Sequence, residues 1–461
     1  MIRFALITSV VRRFAGVIQK FFVLFVYYDK LDPKYNFKYD SSEGMEVHFR
    51  TKKSKRYSLG VMIMARVLFI NGGSEGHINP TIGVVQELIS RGEEVVYFCI
   101  EAFRERLEKT GAIVRTFDDQ KFIKAFISGG RNYVLERING LLLTADVVIP
   151  SVLEQIKGEQ FDYIIHDSMF SCGRILAHML KLPAINSCTS FVQSEASFDS
   201  MLEQFHTSVP AEIARPIHDT FISLTDKVKE TYQVEIHSPY EVFCNPAPLT
   251  IVYTTREFQP EGETFDHSFQ FVGPSISSRV SQTDFDLTAI KGRSLIYISL
   301  GTVFNQAIDF YKLSMQALGN TKHTIVMSIG DKVQISDLGE IPANFIVKNV
   351  VPQTELLPHT KLFITHGGMN SAHEGLYYGV PLIVIPQSAD QPVIAEQISK
   401  VGAGVTLHMD GLTAQQIREA ADHVLSHASY KTAAVNMQQS FRESGGYVQA
   451  VDEILEFVSQ H

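Results

Sequence analysis

From Arg66 onward, apolar and polar positions fall into alternating blocks. RVLFI (66–70) is a short unbroken apolar run, which reads as a strand buried on both faces. A glycine-rich turn follows, then apolar residues at helical spacing through Ile82, Val85 and Leu88. EVVYFC (94–99) reads as the next strand, and EAFRERLEKTGA (101–112) as a helix stopped at Gly111. FDYIIHD (161–167) repeats the strand pattern, with a helix through Ile175, Leu176 and Met179 behind it. INSCTSF (185–191) and LTIVYTT (249–255) read as two further strands. Residues 192–245 lie between them, rich in Phe, Met and His and without clear strands. Such a stretch reads as an irregular insertion that shapes a ligand pocket over the sheet.

A second series begins after 271–292, whose Gly, Pro, Ser and polar content is that of a linker. Its strands are expected in SLIYISLGT (294–302), HTIVMSIG (323–330), FIVKNVVPQ (345–353), KLFITHGG (361–368) and PLIVIPQ (381–387), and YVQAVDEILEFVSQ (447–460) reads as a closing helix. Strands alternating with helices predict an α/β protein with parallel sheets, and 461 residues are too many for one ordinary core. The expected organisation is an extension over 1–63, a Rossmann-like domain over 64–275, a linker over 276–292, a second Rossmann-like domain over 293–445, and the closing helix over 446–461.

Charge separates the extension from the rest. Residues 1–63 hold 12 Lys/Arg against 5 Asp/Glu, whereas the remaining 398 hold 29 against 45, within a net charge of −9. The acidic total argues against general nucleic-acid binding. The early apolar runs FALITSVV and FFVLFVYY are interrupted by Arg12, Arg13 and Lys20, so they fall short of the roughly 20 apolar residues that span a bilayer. No clean small-residue cleavage site follows a single apolar core, as a signal peptide requires. Three readings stay open: a peripheral membrane anchor, an accessory segment, or translation normally starting at Met64, directly before MARVLFINGG. The charge reversal favours the third, with membrane contact expected only if 1–63 is present. Four widely spaced cysteines (Cys99, Cys172, Cys188, Cys244) lack metal-ligand spacing and fit a reducing cytoplasm. A monomer is expected.

Chemistry concentrates in 362–397, LFITHGGMNSAHEGLYYGVPLIVIPQSADQPVIAEQ. A strand runs into His366-Gly367-Gly368, and a helix is expected to start near Asn370-Ser371. Glycines there let a ligand approach the backbone, and the helix start offers free N–H groups suited to a pyrophosphate. His366, Asn370 and Ser371 add donors. Ser371-x-x-Glu374 also spells a capping box that needs no ligand; HGG before it and Asp390-Gln391 beyond the next strand favour a site. The second cluster is GGSEGHINP (72–80), where Asn79 and Pro80 read as N-cap and first residue of a helix and His77 sits at the carboxyl end of the sheet. It is not GxGxxG, so a nicotinamide site is disfavoured.

These blocks resemble glycosyltransferase family 1, the UDP-glycosyltransferases of GT-B fold, most closely the bacterial macrolide-glycosyltransferase-like members, over 65–460. The resemblance implies two Rossmann-like domains facing across a cleft and an inverting transfer of a hexose, glucose by expectation, from a UDP-sugar to a hydroxyl. It places His366, Gly368, Asn370, Ser371 and Thr302 at the donor diphosphate, Gln353 and Glu374 at the ribose, and Asp390 and Gln391 at the sugar hydroxyls. His77 then matches the general base and Asp167 its partner, with His166 turned to the opposite face. Many relatives stack an aromatic residue on uracil where this chain has Val350, leaving Val351 backbone contacts to read the base edge. No cofactor beyond the nucleotide-sugar co-substrate and no metal are expected. Asp284-Phe285-Asp286 imitates a metal-binding DxD but sits in a polar linker, where two aspartates are expected to be solvated. Phe191, Phe198, Met201, Phe205, Phe221 and Phe243 crowd the variable stretch, some as core and some as lining for a hydrophobic small-molecule acceptor such as a phenolic or macrolide-like compound. The rival readings are a nucleotide-sugar epimerase or phosphorylase of the same general fold, and a non-catalytic partner that keeps the donor pocket.

Overall fold

Strands covered on both faces need unbroken apolar runs, and such runs occur in two groups along this chain. The computed structural model describes residues 37–40, 44–47, 65–277, 285–302 and 305–461. It falls into two units, Met1–Met64 and Ala65–His461. In the first, β1 (Phe37–Asp40) pairs antiparallel with β2 (Gly44–Val47), Phe37 opposite Val47. The early apolar runs, with Arg12, Arg13 and Lys20, and Met64 lie outside the described residues, as does Asp284. Among the described residues no helix is long and apolar enough to cross a membrane.

The second unit holds two wholly parallel sheets. One comprises β3 (Arg66–Ile70), β4 (Glu94–Cys99), β5 (Ile113–Thr116), β6 (Tyr163–Asp167), β7 (Ala184–Cys188), β8 (Leu249–Val252) and β9 (Phe269–Phe271), in the spatial order 5-4-3-6-7-8-9. The other comprises β10 (Leu295–Ser299), β11 (Thr324–Ser328), β12 (Phe345–Lys348), β13 (Thr360–Thr365), β14 (Leu382–Val384) and β15 (Gly404–Thr406), in the order 12-11-10-13-14-15. Period-two geometry divides each central strand between two cores. Val67 and Phe69 of β3 pack with Tyr97, Tyr163 and Ile165 on one face, while Leu68 and Ile70 join Val96, Phe98 and Ile164 on the other. In β10, Leu295 and Tyr297 likewise part from Ile296 and Ile298.

Strand order reverses between β3 and β6 in the first sheet and between β10 and β13 in the second. Ligands of open α/β sheets bind beyond the carboxyl ends of the strands at such switch points. The carboxyl ends of these four strands and the segments that follow them carry His77, Asp167, Thr302 and His366, so the topology gathers residues singled out in the sequence.

Several helices differ from the sequence reading. The stretch expected as one helix at 101–112 is a 3-10 turn (Glu101–Phe103) followed by a short helix, Arg104–Glu108. Helix α1 spans Glu75–Ser90 with Ser74 at its N-cap, so His77 lies in its first turn and Pro80 inside it. Asn79 is therefore not a cap; its Oδ1 accepts from Arg106 at 3.0 Å. Pro80 has no N–H for the carbonyl four residues back, that of Gly76. Asn370 of the second sheet's domain supplies the missing donor, its Nδ2 lying 3.3 Å from that oxygen. Helix α2 (Ser171–Leu180) follows β6. Residues 192–245 are mostly helical rather than irregular: α3 (Glu195–Ser208), α4 (Ala211–Tyr232) and α5 (Pro239–Phe243). The buried stripe of α4 is thin, Ala214, Phe221, Thr225 and Val228, and an exposed Pro216 interrupts the helix, which hides its period in the sequence. After β13 comes α6 (Met369–Tyr377), after β14 comes α7 (Gln391–Lys400), and the chain closes with α8 (Tyr447–Ser459). Helix α8 returns to the first sheet, burying Ala450, Val451 and Ile454 beside α1. Gly83 of α1 admits it, since a Cβ there would stand 2.7 Å from the Tyr447 ring.

Candidate active site

His77 and Asp167, 90 residues apart in sequence, meet at the first switch point. The His77 Nδ1–H donates to Asp167 Oδ2 at 2.7 Å, and Thr189 Oγ1 stands 3.1 Å from the same nitrogen. Asp167 is 2 % exposed, and its second oxygen accepts from the Met169 N–H at 2.8 Å. With Nδ1 holding the proton, the neutral ring keeps its lone pair on Nε2. Burial disfavours the charged form of His77, yet the Asp167 carboxylate, by charge and by hydrogen bond, and the charge of Asp390 outweigh it and hold its pKa above the usual 6.5. His166, as expected, does not join this pair. It is fully buried, its pKa is pushed down to about 4 by burial, and its ring lies against Gly173 of α2, where a Cβ would stand 2.2 Å from the His166 Cβ.

His366 follows β13 in an opposite environment. Its ring is walled by two glycines: a Cβ on Gly301 would stand 2.5 Å from Cε1, and one on Gly368 2.5 Å from Nε2. Gly301 also has φ +73°, a conformation glycine adopts without strain. Burial pushes the His366 pKa down to about 4, so the ring is neutral near pH 7. The glycines of the HGG turn thus make room for a neighbouring side chain as well as for any ligand. Thr302, in the turn after β10, is exposed.

Helix α6 starts at Met369 with Gly368 as its N-cap, so Ser371 lies within the first turn and the capping box does not form. Glu374 is drawn elsewhere. It is 2 % exposed and accepts from Gln353 Nε2 at 2.7 Å, while Gln353 Oε1 accepts from the Tyr297 hydroxyl at 3.0 Å. The two residues expected at a ribose therefore form one hydrogen-bonded unit. Val351 is buried in the core and Val350 is 53 % exposed. Asp390 sits at the N-terminus of α7, its pKa raised by burial against the opposing pull of its own backbone N–H and His77. Gln391 Oε1 accepts from the Gln387 and Ser388 N–H groups at 2.8 and 3.3 Å, which fixes the loop that presents Asp390.

A cavity of about 500 Å3 opens between the two halves, with His77 on one wall and Ala389, Asp390 and Val393 on the other. Of the six apolar candidates, Phe191, Met201 and Phe243 line it, whereas Phe198, Phe205 and Phe221 are core, 0 %, 7 % and 3 % exposed. The sequence reading missed Met169 and Tyr240 in its wall; both sit beside positions that were noted, but no periodicity marks them. Among the described residues there is no cluster suited to a metal ion, and Asp286 instead caps a 3-10 turn, accepting from the Thr288 N–H at 2.8 Å. The four cysteines are free thiols.

Comparison with known proteins gives the chain's family and fold. The family model for the C-terminal domain of erythromycin biosynthesis protein CIII-like proteins matches residues 312–445. The chain is 36% identical over 400 residues to the uncharacterized UDP-glucosyltransferase YojK of Bacillus subtilis (strain 168), covering 86% of this chain and 98% of that protein. It is 31% identical over 400 residues to the NDP-glycosyltransferase YjiC of Bacillus licheniformis, covering 85% and 98%. Among solved structures it is similar to the calicheamicin glycosyltransferase CalG4, with a TM-score of 0.72 and 26% identity over 87% of this chain and 99% of that one.

Proposed function

The chain belongs to glycosyltransferase family 1, the nucleotide-sugar-dependent transferases of GT-B fold, and we propose that it inverts the donor sugar using His77 as general base and Asp167 as its partner. The acceptor hydroxyl lies in the 500 Å3 cavity and gives its proton to His77 Nε2 as its oxygen attacks the anomeric carbon. Asp167 holds the ring by Nδ1 and stabilises the imidazolium that develops. The transition state has oxocarbenium character, as in glycoside cleavage. The departing diphosphate is received by His366, Thr302, Gly368, Asn370 and Ser371 at the start of α6, without a metal. Gln353 and Glu374, already paired, take the ribose, and the Val351 backbone takes the base edge. Asp390 and Gln391 take the sugar hydroxyls, which brings the donor sugar beside His77.

One observation carries this reading: the His77–Asp167 pair at 2.7 Å opens onto the same cavity as Asp390 from the opposite domain. The donor is proposed to be UDP-glucose and the acceptor a hydrophobic small molecule, because apolar side chains dominate the cavity wall. Incubation with UDP-α-glucose and a panel of phenolic and macrolide acceptors, read by mass spectrometry and by the anomeric proton coupling of the product, tests it. A β-glucoside is expected. An α-glucoside, or an epimerised nucleotide sugar with no acceptor modified, would overturn it.

A further inference from the structure

The His77 side chain is 24 % exposed, and a base must keep its Nε2 lone pair aimed at one point in the cavity. A single hydrogen bond at Nδ1 fixes a distance and leaves the ring free to swing about that bond. A second group meets the same nitrogen: Thr189 Oγ1 lies 3.1 Å from Nδ1, beside Asp167 Oδ2 at 2.7 Å. With the Nδ1–H donating to the Asp167 carboxylate, this nitrogen has no lone pair left to offer. The Thr189 hydroxyl is therefore an acceptor, and one N–H is shared between two oxygens. Three neighbouring strands deliver the three groups. β3 leads into α1 and His77, β6 ends at Asp167, and Thr189 is the first residue beyond β7. Asp167 pairs with Ser187 across β6 and β7, and the Cys188 carbonyl accepts from the Tyr253 N–H at 3.2 Å, so both oxygens stand on backbone tied to one sheet.

We propose that Thr189 is a positioning residue for the base: its hydroxyl fixes the orientation of the His77 ring, so that Nε2 stays aimed at the acceptor hydroxyl, while Asp167 supplies the charge. This rests on the reading of His77 as the base. The two partners then differ in what they control. The Asp167 carboxylate, with Asp390, raises the pKa of His77. Nδ1 carries its proton in the neutral and in the charged ring alike, so the uncharged Thr189 hydroxyl accepts from both and leaves the pKa in place. What its loss removes is alignment, which slows the chemical step and leaves binding alone. Thr189 is 6 % exposed and also borders a small cavity with Asn370, His373 and Glu374 of the donor-side helix. Packing by its methyl group is therefore the competing role, and hydroxyl and methyl have to be removed separately.

Thr189→Val keeps the shape and removes the hydroxyl, whereas Thr189→Ser keeps the hydroxyl and removes the methyl. Both full-length variants are compared with the unmodified enzyme in the single-turnover rate of transfer from UDP-glucose to one acceptor, followed across pH, and in UDP and acceptor affinity by calorimetry. Thr189→Val is expected to slow transfer about 5- to 30-fold, the range of one lost hydrogen bond. Both Kd values should stay within about twofold and the acid limb of the pH profile should not move. Thr189→Ser is expected to keep the rate within about threefold. Should Thr189→Val fail to fold, Thr189→Ala takes its place in the comparison with Thr189→Ser. A rate for Thr189→Val within about twofold of the unmodified enzyme overturns the proposal. So does an equal loss in Thr189→Ser, which would make packing the cause, or an acid limb displaced in Thr189→Val, which would make Thr189 a determinant of basicity. His77→Ala tells the two readings apart: near-normal transfer there defeats the base itself, while its loss beside an unimpaired Thr189→Val defeats only the positioning role.

Discussion

His77 and His366 occupy related places in two related halves. Each follows a strand that flanks the switch point of its sheet, and each stands at the start of the next helix. Their proton affinities nevertheless diverge. His77 has a buried carboxylate on Nδ1 and the charge of Asp390 nearby, which together hold its pKa above 6.5 against burial. His366 is packed between Gly301 and Gly368, and burial alone takes it down to about 4. On the proposed mechanism the two histidines divide the labour, one taking a proton and the other staying neutral as a hydrogen-bonding group. The same fold, used twice, thus holds a histidine of raised pKa in one half and one of lowered pKa in the other.

Removing the base should give the largest effect. His77→Ala is expected to lower the rate of transfer about 100- to 10,000-fold, the usual span for a general base, while UDP affinity by calorimetry changes less than about twofold. A mutant with near-normal turnover would erase the distinction between the two histidines. The other half responds differently. Gly301→Ala forces a Cβ to 2.5 Å from the His366 ring at φ +73°, a strain of about 1–2 kcal/mol, so UDP is expected to bind about tenfold more weakly with the acceptor Kd unchanged. If acceptor binding fell instead, the His366 turn would not belong to the donor side. The smallest effect concerns the base. Val350 is 53 % exposed and, on the proposed reading, offers a branched aliphatic surface to the base in place of an aromatic ring. Loss of stacking, worth about 1–3 kcal/mol per base, should loosen selectivity, with dTDP-glucose used within about tenfold of UDP-glucose in kcat/KM. A preference above about a hundredfold would show that edge contacts dominate.

The division between what the sequence reveals and what it hides follows from covering. Strands β3, β4, β6 and β10 were legible because both faces are covered and each carries an unbroken apolar run. Strands β5, β9 and β15 are short or partly exposed and left no such run. Helix α4 is hidden by its thin buried stripe. Local capping rules failed at two places for one reason, that tertiary partners outbid them. Pro80 is tolerated inside α1 where Asn370 serves the freed Gly76 carbonyl, and Glu374 turns from Ser371 to Gln353. At the site, His77 and Asp167 were reachable only through motif resemblance, since 90 residues separate them. The approach of Asp390 to His77 comes from the opposing domain, and nothing local to either residue encodes it.

The most direct test is the pH dependence of kcat/KM for the unmodified enzyme and for Asp167→Asn with one acceptor and saturating UDP-glucose. On the proposed mechanism transfer needs neutral His77, so activity is present above its pKa and is lost as pH falls through it. The acid limb of the unmodified enzyme is therefore expected to have its midpoint above 6.5. Asp167→Asn removes the carboxylate that raises the pKa while leaving burial in place, so its acid limb should move to lower pH, with a plateau reduced at least about tenfold by loss of the oriented tautomer. An acid limb at the same pH in both proteins, or one shifted upward, would contradict the account of His77 as a base made by Asp167.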